Sequence, residues 1–457
     1  MGGHTIGGRR MGTVAGAGLL ERRRMSVSAA KVRGLFVSPV FVLLGSEVIA
    51  KGVMFLSSIP IARLYDPEAM GVFGVYNSIV TIVSVPAALS LARAVPLPRS
   101  EAKAFVLLSV GMGLIVGVSL LTFAFFAWAP ATLLARLGAD DLRPLAWVLP
   151  FAVLGWAGLP LMQMWLSRME RFFALAATKL AQVFLLAGGQ ITLGLPNMGA
   201  TGLTSADALS RAIVMTPFLL WMAKPLGRWA HRPARFLEMS RQVFTEYRRF
   251  PLIVTPTLLL HSIPAALMPI MISSNLGVKA AGYWALSAYV TSAVFGISVS
   301  FTPYLYGLWS KAFNSREGLQ PSLVIRSSVP LIAIAAGVGV ALGTLGPTLF
   351  SLVFGLEWAR AGELAQILAI SLAVQIIAGP MLLILNVVNR ESWNISLAIL
   401  WCILSAIAFY AAGALDLGLG RITWLYVGIT CVIYVAYAAA ALLAVHRSRP
   451  LAPGGAN

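Results

Sequence analysis

The sequence predicts an all-α polytopic membrane protein of twelve transmembrane helices in two parallel-repeat six-helix lobes. Three observations carry the prediction. Of its 457 residues, 59% are hydrophobic and 11% charged, with a mean hydropathy of +0.85, whereas soluble chains carry about 25% charged residues. The apolar residues form twelve runs, most near the ~20 residues that a helix needs to cross a bilayer core. The connections between these runs alternate between rich and poor in Lys and Arg.

Residues 1–34 hold Arg9, Arg10, Arg22, Arg23, Arg24, Lys31 and Arg33 among Gly, Ser and Ala, and read as a basic disordered cytoplasmic tail. The first long apolar run starts at about Leu35, is too long for a signal-peptide core and has no small-residue cleavage site after it. The first lobe, 35–223, is expected to cross at roughly 36–62, 71–91, 104–128, 144–166, 180–197 and 204–223. A connector, 224–250, carries Lys224, Arg228, Arg232, Arg235, Arg241, Arg248 and Arg249 against only Glu238 and Glu246. Within it Phe236, Met239, Val243, Tyr247 and Phe250 recur every three or four residues, which predicts an amphipathic helix lying on the membrane by that face. A solvated basic linker is the alternative. The second lobe, 251–445, is expected to cross at roughly 251–274, 282–308, 328–352, 363–388, 393–415 and 422–445, leaving a cytoplasmic tail at 446–457.

Counting charge tests this topology. Segments on the connector side hold 26 Lys and Arg, loops on the other side hold six, and Lys51 and Arg211 lie within spans. The bias sets the connector and both termini in the cytoplasm. An even number of helices per lobe makes any internal repeat parallel. A weak one aligns Ala69-Met70-Gly71-Val72-Phe73-Gly74-Val75 with Ala280-Ala281-Gly282-Tyr283-Trp284-Ala285-Leu286, an offset of 211 residues.

The net charge of +18 is divided among loops rather than gathered on one solvated face, so no nucleic acid is expected as partner. Cys402 and Cys431 lie in apolar runs and announce neither a disulfide framework nor a metal site. No nucleotide-binding loop occurs, and no cofactor is expected. Loops opposite the connector reach at most roughly 14 residues, too short to gather catalytic groups, so no enzyme is expected.

Glu47 and Lys51, one turn apart in the first span, are the sharpest local signal, because each charge costs about 2.5–3.5 kcal/mol or more to insert. They either line a transport path or form a self-neutralised pair that fastens the span to its neighbours. Asp207 and Arg211 repeat the spacing. Thr204-Ser205-Ala206-Asp207 reads as a capping box at a helix start, with Arg211 one turn deeper and facing either the cavity or protein. His261 is a candidate proton carrier or a packing residue. Arg93, Arg248 and Arg249 are candidate phosphate contacts at the cytoplasmic mouth, or ordinary charges that set orientation. Gly113 with Gly117, and Gly339 with Gly343, have the spacing of close helix packing.

Several stretches resemble the polysaccharide flippases, a family of the multidrug/oligosaccharidyl-lipid/polysaccharide exporter superfamily. They are Ala62-Arg63-Leu64-Tyr65-Asp66-Pro67-Glu68-Ala69-Met70-Gly71, Leu97-Pro98-Arg99-Ser100, Tyr247-Arg248-Arg249-Phe250-Pro251, Ala280-Ala281-Gly282-Tyr283 and Phe354-Gly355-Leu356-Glu357-Trp358-Ala359-Arg360-Ala361-Gly362. The family often has an Arg and an acid before the Leu-Pro element, where this chain has Ser90-Leu91-Ala92-Arg93-Ala94. The resemblance implies a transporter in the bacterial cytoplasmic (inner) membrane. It would flip a polyprenyl-pyrophosphate-linked oligosaccharide for O-antigen, capsule or exopolysaccharide assembly, with lipid and other polysaccharide-assembly membrane proteins as partners. A cation-coupled multidrug antiporter of the same fold, or a membrane glycan polymerase or ligase, are the alternatives.

Overall fold

The computed structural model describes residues 2, 39–136, 138–315, 318–388 and 390–447. The expected tail at 1–34, the start of the first span and the chain beyond 447 lie outside the described residues. Twelve helices of 20 residues or more run through the described chain. Those of the first lobe are α1 (Pro39–Leu64), α2 (Pro67–Ala87), α3 (Glu101–Trp128), α4 (Leu149–Arg168), α5 (Phe172–Gly194) and α6 (Gly199–Ala230). Those of the second are α7 (Thr255–Leu276), α8 (Val278–Phe313), α9 (Pro321–Phe354), α10 (Ala359–Ala378), α11 (Glu391–Ala414) and α12 (Leu419–Arg447). Among the described residues, ten helical segments are long and apolar enough to cross a membrane. The other two long helices are α1 and α8. Both pack alongside the ten.

Local chemistry sets the boundaries. Asp66 caps α2, its Oδ1 accepting the Ala69 N–H at 2.7 Å, with Pro67 in the first turn. Gly355 ends α9 at φ +121°, a backbone angle that disfavours a side chain. α5 starts eight residues earlier than the expected 180, so Lys179 belongs to a helix and not to a loop. The expected tenth span breaks after Ala378, and a short helix, Leu382–Val387, follows Pro380.

The same neighbours recur in both lobes. α1 packs on α5, α5 on α6, α3 on α4 and α4 on α6, and six helices later α7 packs on α11, α11 on α12, α9 on α10 and α10 on α12. The lobes meet mainly through α2 against α7 and α8. At the end remote from the connector, Gly71 lies against the Val278 carbonyl and Gly282 against the Pro67 carbonyl, so a Cβ on either would overlap the facing backbone. These four positions are pairwise 211 residues apart, so the contact is reciprocal, as a two-fold relation between lobes requires. Around it the Trp358 indole N–H donates to the Ala62 carbonyl at 2.7 Å, the Arg63 guanidinium to the Val353 carbonyl at 3.1 Å and the Ser273 hydroxyl to the Gly138 carbonyl at 3.0 Å. Three of the stretches that carry the family resemblance therefore meet in one seam. By contrast, α1 and α8 touch over a shorter stretch, and Val48, Ile49 and Leu56 of α1 are exposed.

The connector helix, Pro233–Glu246, corrects one expectation. Its Phe236–Met239–Val243 face does not lie on lipid. Val243 is fully buried, and Phe236, Met239, Tyr247 and Phe250 pack with it onto the core of the first lobe. Lys103 of α3 fastens the helix with an ion pair to Glu246 at 2.8 Å. Nor would a Cβ on Gly113, Gly117 or Gly343 meet another helix, although the Gly343 carbonyl accepts the Gln366 side-chain amide of α10 at 3.1 Å.

Candidate functional site

A cavity of about 580 Å³ opens between the lobes in the half of the molecule nearer the connector. α2 supplies Thr81, Ser84 and Val85, α4 supplies Trp156, Pro160 and Met164, and α7 supplies Leu258, His261 and Ser262. The chain between α2 and α3 supplies Ser90 and Arg93. The backbone there is strained: Leu89 and Ser90 have φ of +48° and +54°, which costs about 1–3 kcal/mol per residue. The turn leads into a short 3-10 helix, Leu91–Ala94, whose exposed Arg93 lines the cavity. Buried Thr255 of α7 donates its hydroxyl to Ser90 Oγ at 2.9 Å, so the strained turn is held by the opposite lobe.

His261 is fixed on the second-lobe wall. Its Nε2 lies 3.1 Å from Asn394 Oδ1, and its ring stacks on Tyr437 with 6.0 Å between centroids. An amide oxygen only accepts, so the Nε2–H donates to it. On the first-lobe wall, Ser84 Oγ of α2 is buried without a hydrogen-bond partner, and an orphaned buried hydroxyl calls for a water or ligand atom.

Behind the first-lobe wall lies a closed cluster. Asp207, 2% exposed, accepts from Tyr76 Oη and Trp156 Nε1, both at 3.1 Å, and from Arg211 Nε at 3.0 Å. The Arg211 guanidinium also lies over the Trp156 ring, 4.1 Å from its centroid. Gly155 makes room for it, since a Cβ there would strike the Arg211 side chain. The capping-box expectation fails here: α6 starts at Gly199, and Thr204 donates to the Ala200 carbonyl within the helix. Asp207 is a buried acceptor for three helices and Arg211 is its counter-ion. Of this group, Trp156 is the member that lines the cavity.

Glu47 and Lys51 do not pair with each other. Glu47 takes Lys179 of α5 as its ion-pair partner at 2.9 Å, and Lys51 lies against Gly296 of α8. Helix packing overrides the local spacing because an i,i+4 pair contributes only about 0.2–0.5 kcal/mol, while α5 presents a cation across the helix interface. Neither Glu47 nor Lys51 lines the inter-lobe cavity. Arg248 and Arg249 are exposed just past the connector helix and do not line it either. Of the residues singled out from sequence, the cavity gathers Arg93 and His261. Trp156, Ser84, Tyr76 and Lys179 went unnoticed. An aromatic flanked by glycines (Gly155-Trp156-Ala157-Gly158) and a lysine inside an apolar run were their only signals.

The chain matches no protein-family model and no curated protein by sequence. Solved structures match over most of its length. It resembles a multidrug-resistance MATE family transporter of the MOP superfamily in an inward-facing conformation, with TM-score 0.67 and 13% identity over 89% of this chain and 98% of that one. It also resembles the lipid II flippase MurJ in an inward closed conformation, with TM-score 0.64 and 12% identity over 88% and 87%. A MOP-superfamily transporter from Pyrococcus furiosus follows with TM-score 0.53 and 13% identity over 90% and 96%. This multi-pass membrane chain has the fold of the MOP-superfamily transporters.

Proposed function

We propose that the protein moves a lipid-linked oligosaccharide with a polyprenyl pyrophosphate anchor from the cytoplasmic to the outer leaflet of a bacterial cytoplasmic membrane. The connector and both chain ends would face the cytoplasm, as the charge bias requires. One observation carries this reading over a cationic-drug antiporter: the cavity is lined by Arg93, His261, Trp156 and hydroxyls, and by no carboxylate. The two acids at helix depth are already neutralised, Glu47 by Lys179 and Asp207 by Arg211. A guanidinium suits phosphate oxygens, an indole face suits a sugar ring, and Ser84 Oγ awaits a partner. The headgroup is taken into the cavity while the tail stays in the bilayer, and the short α1–α8 contact is the side where tail and headgroup remain joined. Rocking of the lobes about the Gly71–Gly282 seam then changes access.

The MATE fold neighbour keeps the antiporter reading as the competitor. The test is a deletion strain from which lipid-linked oligosaccharides are extracted after exposure to an impermeant sugar-modifying reagent. Shielded inner-leaflet repeat units, cleared by the wild-type gene but not by Arg93→Ala or Trp156→Ala, support the proposal. Normal outer display with changed sensitivity to toxic cations turns it over to the antiporter.

A further inference from the structure

We propose that the connector helix is a leaflet anchor, with its Leu237–Phe244 flank seated among anionic lipid headgroups on the connector side. At 3.6 residues per turn the helix divides into sectors. One, with Phe236, Met239 and Val243, is covered by the first lobe. A neighbouring sector about 60° wide holds Leu237, Arg241 and Phe244, and it is open: Leu237 is 54% and Phe244 40% exposed. The helix's two acids lie elsewhere. Glu246 is drawn off by Lys103 of α3, and Glu238, with Arg235 and Gln242, falls on the remaining polar side. The open flank is therefore apolar and purely cationic, the composition that an anionic headgroup layer selects.

Two further features place this flank at the bilayer surface. The helix is tied at both ends to crossing helices, with α6 ending at Ala230 and the chain re-entering the bundle at Phe250–Val254. The re-entry continues the apolar surface, Leu252 being 70% and Ile253 43% exposed. A 14-residue helix so tethered has no reach into bulk solvent, and two large apolar side chains on one face need a cover. The docked Phe236–Val243 face thus fixes which flank meets lipid. The inference depends on the membrane-spanning fold alone and not on the substrate.

The test uses the full chain in nanodiscs. On a C402A/C431A background, a bimane dye is attached through L237C, F244C, E238C or Q242C, and quenching by lipids spin-labelled near the headgroup is compared. Strong quenching at 237 and 244 with at least threefold weaker quenching at 238 and 242 is expected. Equal quenching at all four, or dyes at 237 and 244 reached only by an aqueous quencher, overturns the proposal and leaves the flank to a protein partner. The headgroup charge is read separately, from the phosphatidylglycerol fraction that half-protects connector amides from hydrogen exchange. R241Q should raise that fraction about fivefold, the equivalent of roughly 1 kcal/mol per surface cation, while the charge-matched R235Q leaves it unchanged. Equal shifts for the two variants, or protection that is the same in phosphatidylcholine, overturns the anionic assignment.

Discussion

Replacing Asp207 by Asn removes one charge from the closed cluster behind Trp156 and leaves Arg211 without its counter-ion at a site where the two side chains are 2% and 12% exposed. Two arginine nitrogens approach Asp207 Oδ1, at 2.9 and 3.0 Å. For charge centres about 4 Å apart at an effective dielectric near 20, the attraction is about 4 kcal/mol. Breaking a buried pair from one side costs about 3–5 kcal/mol because the remaining charge stays buried. Asp207→Asn and Arg211→Gln are therefore each expected to lose about 3–5 kcal/mol, whereas the double variant loses much less than their sum, with a coupling energy near 2 kcal/mol or more. Equilibrium unfolding in mixed dodecylmaltoside and dodecyl sulfate micelles measures all three. Single losses below about 1 kcal/mol, or additivity within about 0.5 kcal/mol, would refute the argument that Arg211 serves as the fixed counter-ion of Asp207.

The charge swap Glu47→Lys with Lys179→Glu should recover the folded yield that Glu47→Lys alone loses, and Lys51→Glu should not rescue it; size-exclusion profiles of solubilised protein decide this. Gly71→Ala and Gly282→Ala should each cost about 1–3 kcal/mol, by similar amounts because their contacts are reciprocal, and should raise cysteine accessibility at the end remote from the connector. Tolerance of both would remove the seam from the account. Thr255→Val takes the donor from Ser90 Oγ, costs about 1 kcal/mol and should lengthen spin-label distances between the lobes at the connector end. For the connector, the hydrogen bond from the Lys103 ammonium, then that from Tyr247, holds the Glu246 carboxyl below its ordinary value of 4.5. A lowered folded pKa stabilises docking above that value and loses the contribution as pH falls through the lowered one. Protection over 233–246, corrected for intrinsic exchange, should therefore fall only below about pH 4.5, and Lys103→Met should weaken the transition.

The sequence by itself determined the layout. Length and apolarity mark where a helix can cross, and Gly, Pro and Asp66 mark where it stops, because these signals are local or additive along the chain; the cation bias adds an expected orientation. The repeat centred on Gly71 and Gly282 was legible too, although its meaning as one reciprocal contact was not. Arg93 and His261 were legible as charged or titratable groups near helix ends and depths. What only the tertiary structure decided is pairing. Glu47 belongs to Lys179, 132 residues away, rather than to Lys51 one turn along. Asp207 belongs to Tyr76 and Trp156 as well as to Arg211, rather than to a helix cap. The connector's regular apolar face belongs to the first lobe and leaves Leu237 and Phe244 to the outside. The reason is physical: periodicity fixes which residues share a face of one helix, but which neighbour that face meets is set by close packing among twelve helices. The best partner for a buried charge is whatever the adjacent helix presents.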